Sequence, residues 1–187
     1  MAQVKLSRLR TASLAIALSC SSLFVCPAAE APREYEIKAA FLLNFIKFIE
    51  WPASAFGLPE SPVTICILGE DPFGATMNQI VGGEIVSGRR IAVQRIKRLP
   101  APKSCQVLFW GGSEGAPARR LSDLGPGVLT VGEGQSFLRE GGMIAFVIDN
   151  RHVRFDVNQA AAEHAGLKIS SKLLSVARDV QNRPRND

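Results

Sequence analysis

Hydrophobic residues recur at helical spacing in residues 34–50, EYEIKAAFLLNFIKFIE, and this predicts a helix there. The helix should end before Pro52, because the residue preceding a proline avoids the α conformation. Its apolar stripe consists of Ile37, Phe41, Phe45 and Phe48, widened by Leu42 and Ile49. A helix this apolar is expected to pack on two sides, or on one side with a partner chain.

Short apolar runs rich in β-branched residues follow, and they predict strands. The predicted strands are 63–69, 106–110 and 127–132, with two strand pairs turning at Ser87-Gly88 (82–96) and Asn150-Arg151 (143–158). Helices are predicted at 72–81, 116–124, 135–139, 159–164 and 171–180. This alternation indicates an α/β fold: one three-layer domain over 33–180, with a mostly parallel sheet flanked by helices and an antiparallel hairpin at its edge. Residues 181–187 are predicted to be a polar tail.

The first 31 residues have the layout of a secretory signal peptide. A basic start with Lys5, Arg8 and Arg10 precedes the apolar run 12–25 and a small-residue stretch. The apolar run is shorter than the ~20 residues that a spanning helix needs. We therefore expect cleavage and export to the periplasm; the alternatives are a retained anchor and a lipoprotein attached through Cys26.

The composition is that of a globular protein, with 47% hydrophobic and 21% charged residues in 187. Loss of residues 1–31 takes the basic and acidic counts from 22 and 17 to 19 and 16, a net charge of +3. The basic residues are scattered and form no stripe with interleaved aromatic residues. Nucleic-acid binding is therefore not expected.

The mature chain keeps two cysteines, Cys66 and Cys105. An even pair in an oxidising compartment favours a disulfide, and the alternative is two buried thiols. His152 and His164 are the only histidines, and the cysteines lack metal-ligand spacing. We therefore predict no metal and no cofactor.

The segment Gly111-Gly112-Ser113-Glu114-Gly115 matches the G-x-S-x-G pattern of a nucleophile elbow, between a predicted strand and a predicted helix. Asp149 and His152 would then complete a serine esterase. Both flank a single hairpin, however, and the chain is short for that fold. The favoured interpretation is a glycine-rich turn with Ser113 capping a helix, so no enzyme activity is predicted.

Several motifs and their order resemble the YfiR-like family across residues 34–178. The specific ones are the opening helix KAAFLLNFIKFIEWP, the strand VTICILGEDPFG and the closing segment AGLKISSKLL. The resemblance implies a small periplasmic α/β protein that forms homodimers. It also matches Cys66 and Cys105 to a disulfide of the family. Some members carry a second cysteine pair near residues 143–149, which this chain lacks.

The resemblance further implies a regulatory function. The family's namesake binds the periplasmic domain of an inner-membrane diguanylate cyclase and represses cyclic di-GMP synthesis, which limits biofilm growth. Small ligands are also bound by some members. The residues expected to contact the partner are exposed positions of the first helix and the KISSK loop, namely Lys38, Asn44, Lys47, Lys168, Ser170, Ser171 and Lys172; the alternative is that they are merely solvated. Other candidates are a ligand-binding partner of a different signalling protein, such as a histidine kinase, and an esterase using Ser113.

Overall fold

The computed structural model describes residues 30–112, 121 and 123–182. Most of the predicted signal peptide, Ser113, the greater part of the helix predicted at 116–124, and the last five residues lie outside this range. Among the described residues, no helix is long and apolar enough to cross a membrane.

The described residues form ten strands and five α-helices. The strands are β1 Ile49–Glu50, β2 Val63–Gly69, β3 Ile85–Val86, β4 Arg89–Ile96, β5 Val107–Gly111, β6 Leu129–Glu133, β7 Ile144–Asp149, β8 His152–Asn158, β9 Lys168–Ile169 and β10 Asp179–Gln181. The helices are α1 Glu30–Phe48, α2 Ala75–Val81, α3 Gly134–Arg139, α4 Gln159–His164 and α5 Ser171–Val176, with a 3-10 turn at Ala53–Ala55.

Eight strands form one sheet in the order β10-β8-β7-β6-β5-β2-β4-β3. All neighbours are parallel except the hairpins β7–β8 and β3–β4. The remaining two strands, β1 and β9, form a small antiparallel ribbon. The predicted α/β fold with a mostly parallel sheet and helices beside it is thus confirmed.

Both faces of the central strands are buried, as their continuous apolar sequences predicted. Residues 63–68 of β2 are all buried. One face packs against α1 and α2 through a core that includes Phe45, Phe109 and Phe155. The opposite face carries Cys66 and Leu108, which pack with Leu124 and Val128.

Both predicted hairpin turns are confirmed by their backbone angles. Ser87 and Gly88 have φ of +50° and +77°, and Asn150 and Arg151 have φ of +48° and +63°. Two consecutive positive φ angles are typical of the type I′ turn, whose twist matches that of the flanking strands.

The chain end differs from the prediction. The last helix, α5, stops at Val176 instead of continuing to 180, and β10 then pairs in parallel with β8. The β7–β8 hairpin therefore does not form the edge of the sheet, because β10 pairs with the outer side of β8. The short strand was missed because three residues carry too little periodicity to distinguish a strand from the end of a helix.

The buried face of α1 is also rotated from the predicted stripe. Leu42, Phe45 and Ile46 are fully buried, whereas Ile37 and Phe48 are 41% and 37% exposed. Apolar residues run around most of this helix, so spacing alone did not determine which side meets the sheet.

Candidate binding sites

A buried lysine joins α1 to the carboxyl end of β6. Lys38 is 2% exposed, and its Nζ donates a hydrogen bond to Glu133 Oε1 at 2.8 Å and forms an ion pair with Glu34, one helical turn earlier. The same Nζ lies 4.4 Å from the centre of the Tyr35 ring. The prediction that Lys38 is an exposed position is wrong. It lies one helical turn before the buried Leu42, and its long side chain reaches a carboxylate of the sheet.

The same cluster controls the ionisation of Tyr35. Burial raises the pKa of Tyr35 to about 12, aided by the negative charge of Glu133, by a hydrogen bond to it, and by the charge of Glu34. The phenol therefore stays protonated and neutral at any physiological pH.

A crevice of about 170 Å³ opens beside this cluster, where β2, β5 and β6 end. Its lining consists of Tyr35, Glu70, Pro72, Phe109, Trp110, Gly111, Gly112 and Glu133. At its floor the chain after β2 meets the end of β5, with Glu70 N donating to Gly111 O at 2.8 Å. A Cβ on Gly111 would lie 1.8 Å from Glu70 O, so only glycine permits this approach.

The other predicted contact residues cluster near the end of α1. The ribbon pairs Glu50 of β1 with Lys168 of β9, and Ser170 N donates to Phe48 O at 3.0 Å. The structure thereby brings the last turn of α1 and the segment 168–172 together. Sequence reasoning placed both on the partner surface but had no evidence that they adjoin.

Within this region the six remaining predicted residues differ in their exposure to solvent. Asn44, Lys47, Lys168, Ser171 and Lys172 are exposed. Ser170 has a structural role, because its Oγ accepts a hydrogen bond from Leu173 N at 3.3 Å and caps α5. Two exposed apolar side chains on the same elements, Phe48 and Val176, were not predicted. We call the exposed set the basic surface: Asn44, Lys47, Phe48, Lys168, Ser171, Lys172 and Val176.

A larger cavity of about 530 Å³ lies between α4, the end of α3 and the chain before β6. Its lining is mainly apolar and includes Leu124, Val128, Met143 and Ala161, with Thr130, Glu140 and His164 as polar members. Glu140 Oε2 is buried and has no hydrogen-bond partner. This combination of apolar walls and a few polar groups is typical of small-molecule sites.

The predicted disulfide is present. Cys66 in β2 and Cys105 just before β5 are bonded, with their Cα atoms 5.9 Å apart, and both are buried. The bond joins the middle of β2 to the chain just before β5, on the face opposite α1.

Of the three residues of the esterase alternative, the structure describes Asp149 and His152. Asp149 and His152 face each other beside the Asn150-Arg151 turn of the β7–β8 hairpin. Ser113 itself lies outside the described residues. Within the ranges that are described, no three His, Cys, Asp or Glu side chains are grouped to hold a metal.

The described residues define an α/β protein with clefts at the carboxyl ends of its strands and beside its helices. Residues 35–178 match the sequence profile of a family described as DUF4154, YfiR/HmsC-like. The chain belongs to this family, which confirms the resemblance inferred from the motifs. Proteins of the family are periplasmic regulators.

Comparisons beyond the family are distant. No curated protein matches the chain. Among solved structures, it is similar to a conserved domain protein from Vibrio cholerae O1 biovar El Tor, at 9% identity, with a TM-score of 0.46, covering 79% of this chain and 60% of that one. It is also similar to an ABC domain in complex with L-Trp from Streptococcus pneumoniae, at 12% identity and TM-score 0.41, covering 63% and 55%.

Proposed function

We propose that this protein is a periplasmic regulator that sequesters the periplasmic sensor domain of an inner-membrane diguanylate cyclase and represses cyclic di-GMP synthesis. The observation that carries the proposal is the family match, which spans residues 35–178 and includes most of α1 and the KISSK segment. Export by a cleaved signal peptide and a homodimeric state belong to the same proposal.

The basic surface supports this function as the contact with the cyclase. It combines two exposed apolar side chains, Phe48 and Val176, with the ammonium groups of Lys168 and Lys172. The ammonium group of Lys47 lies on the same surface and is paired with Glu84 at 3.2 Å. Apolar anchors exclude water at the centre of an interface, while charges at its rim select the partner and speed association. A sensor domain with a complementary acidic, partly apolar patch fits this arrangement.

Repression through this surface requires no chemistry by the regulator. A binding protein shifts its partner to the inactive conformation when it binds that conformation more tightly than the active one. A 100-fold preference corresponds to about 2.7 kcal/mol, which a few well-packed contacts supply.

The first experiment is crosslinking in intact cells, followed by capture of the tagged full chain and identification of the retained membrane proteins. We expect a diguanylate cyclase with a periplasmic sensor domain, and raised cyclic di-GMP in cells that lack this protein. Recovery of the protein alone, with unchanged cyclic di-GMP on deletion, would contradict the proposal.

A charge-reversal pair then tests the surface. We expect Lys168→Glu with Lys172→Glu to reduce capture of the cyclase at least about tenfold, since reversal at the rim turns attraction into repulsion. The matched control is Lys97→Glu with Arg98→Glu, which has the same charge change at exposed positions just after β4. Equal loss in both variants would show a nonspecific effect of net charge and remove the surface from the proposal.

The second candidate is a ligand-binding partner of another membrane signalling protein, such as a histidine kinase. The specific observation in its favour is the 530 Å³ cavity with the unpartnered Glu140 carboxylate oxygen. Capture of a kinase instead of a cyclase, with kinase autophosphorylation that changes on deletion of this protein, would favour it.

A further inference from the structure

The crevice beside Tyr35 lies at the point where the strand order reverses. From β2 the chain moves to β4 on one side, then returns past β2 to β5 on the other. The loops after β2 and β5 therefore diverge, and they leave a gap at the carboxyl ends of the two strands. Open α/β sheets bind ligands in this gap. The crevice is lined by Glu70 and Pro72 from the first loop and by Gly111 and Gly112 at the end of β5.

Three aromatic residues are among those that line the crevice. Tyr35 comes from α1, and Phe109 and Trp110 come from β5. The Tyr35 ring already receives a cation at one side, since Lys38 Nζ lies 4.4 Å from its centre. Aromatic faces attract cations because of the negative charge above the ring. The volume of about 170 Å³ equals that of roughly six water molecules, which suits a small ligand or one end of a larger one.

The charged side chains around the crevice determine whether it favours a cation or an anion. Glu70 and Glu133 both line it, and Glu34 lies just behind. Lys38 is the only cation that the described residues place in this cluster, and it is shared between Glu34 and Glu133. Glu70 forms no ion pair with any described residue. Three carboxylates against one ammonium make the crevice acidic, so it repels anions.

We propose that this crevice binds the ammonium group of a small organic cation, with Glu70 as its counter-ion and Tyr35 as its aromatic wall. An organic cation fits better than a metal ion, because no cluster of three metal-ligating side chains occurs among the described residues. The inference is independent of the proposed cyclase partner, whose contact surface lies at the other end of α1.

Trp110 provides a direct test, since the chain has two tryptophans, Trp51 and Trp110. The variant Trp51→Phe leaves Trp110 as the sole tryptophan reporter in an otherwise complete protein. We expect choline to change its emission saturably in the millimolar range. We expect 3,3-dimethylbutan-1-ol, the neutral isostere of choline, to bind at least about tenfold more weakly than choline, because it lacks the charge. Calorimetry on the unmodified protein repeats the comparison without substitution at Trp51.

Glu70→Gln is the decisive variant, because Glu70 is exposed and its loss should not disturb folding. We expect choline affinity to fall at least about fivefold. Glu60→Gln, an equal change at an exposed loop residue outside the crevice, should leave the affinity unaltered. The proposal is overturned if choline does not bind, if the neutral isostere binds equally well, or if the two glutamate variants behave alike.

Discussion

Two buried charged side chains, Lys38 in α1 and Asp156 in β8, differ in where their counter-charges lie. Lys38 is 2% exposed, and its two carboxylate partners, Glu34 and Glu133, have side chains 31% and 38% exposed. Asp156 in β8 is fully buried, and its partner is Arg178, whose side chain is 33% exposed. In the first cluster a buried cation is paired with carboxylates that reach water. In the second cluster the carboxylate itself is buried away from water.

The Arg178–Asp156 ion pair holds the end of the chain against β8. Arg178 Nε donates to Asp156 Oδ1 at 2.7 Å, and its NH2 group donates to the other carboxylate oxygen. Arg178 N also donates to Phe155 O at 2.9 Å, immediately before β10 pairs with β8. A planar guanidinium matches a carboxylate with two parallel hydrogen bonds, so it fixes orientation as well as charge. The Lys38 cluster instead shapes the wall of a crevice.

The largest effect is expected from Arg178→Met, which leaves the Asp156 carboxylate buried without its counter-ion. Breaking a buried pair in this way costs about 3 kcal/mol of unfolding free energy, less if water reaches the site through the space left by the half-exposed guanidinium. Urea unfolding measures the loss. Adding Asp156→Leu should restore much of the stability. A loss below about 1 kcal/mol in the single variant would show that the pair does not hold β10 in place.

A smaller effect is expected from Lys38→Met. It leaves Glu34 and Glu133 facing each other, but both reach water, so we expect a cost of about 1–2 kcal/mol. The two clusters should differ in salt dependence. We expect 1 M NaCl to reduce the loss of unfolding free energy in Lys38→Met, because salt screens the repulsion between the two carboxylates. The cost of Arg178→Met should change much less, because Asp156 is fully buried. Equal salt dependence in urea unfolding of both variants would remove the distinction.

The smallest effect at neutral pH is expected at Tyr35, which is the only tyrosine of the chain. Its absorbance near 295 nm should titrate with a midpoint near the pKa of about 12 in the folded protein and near the ordinary value of 10 in urea. Since the folded-state pKa is the higher one, its contribution to stability is full below pH 10 and is lost as the pH rises from 10 to 12.

Two variants check this titration. Glu133→Gln should lower the folded-state midpoint, because it removes one charge that opposes ionisation, although the burial contribution remains. Tyr35→Phe should flatten the decline of stability above pH 10. A folded-state midpoint near 10 in the unmodified protein would show that Tyr35 is solvated and that the crevice wall is more open than described.

Local sequence determined the strands and turns. A continuous β-branched run set β2 at 63–69, and the turn residues Ser87-Gly88 and Asn150-Arg151 set both hairpins. These features depend on the steric preferences of neighbouring residues, so they can be predicted from the local sequence without knowledge of the rest of the chain. The cysteine pair and the family motifs were also recognised from the sequence, because the number of cysteines and the order of the motifs do not depend on the fold.

Tertiary structure alone decided which charges are buried and which residues form a crevice. Lys38 lies 95 residues from Glu133, and Asp156 lies 22 residues from Arg178. A lysine on an apolar helix has the same local pattern whether it points to water or to a distant carboxylate, so its exposure was predicted wrongly. The meeting of Tyr35, Glu70, Gly111 and Glu133 likewise follows from strand order. Strand order depends on long-range packing free energy, which no local periodicity encodes.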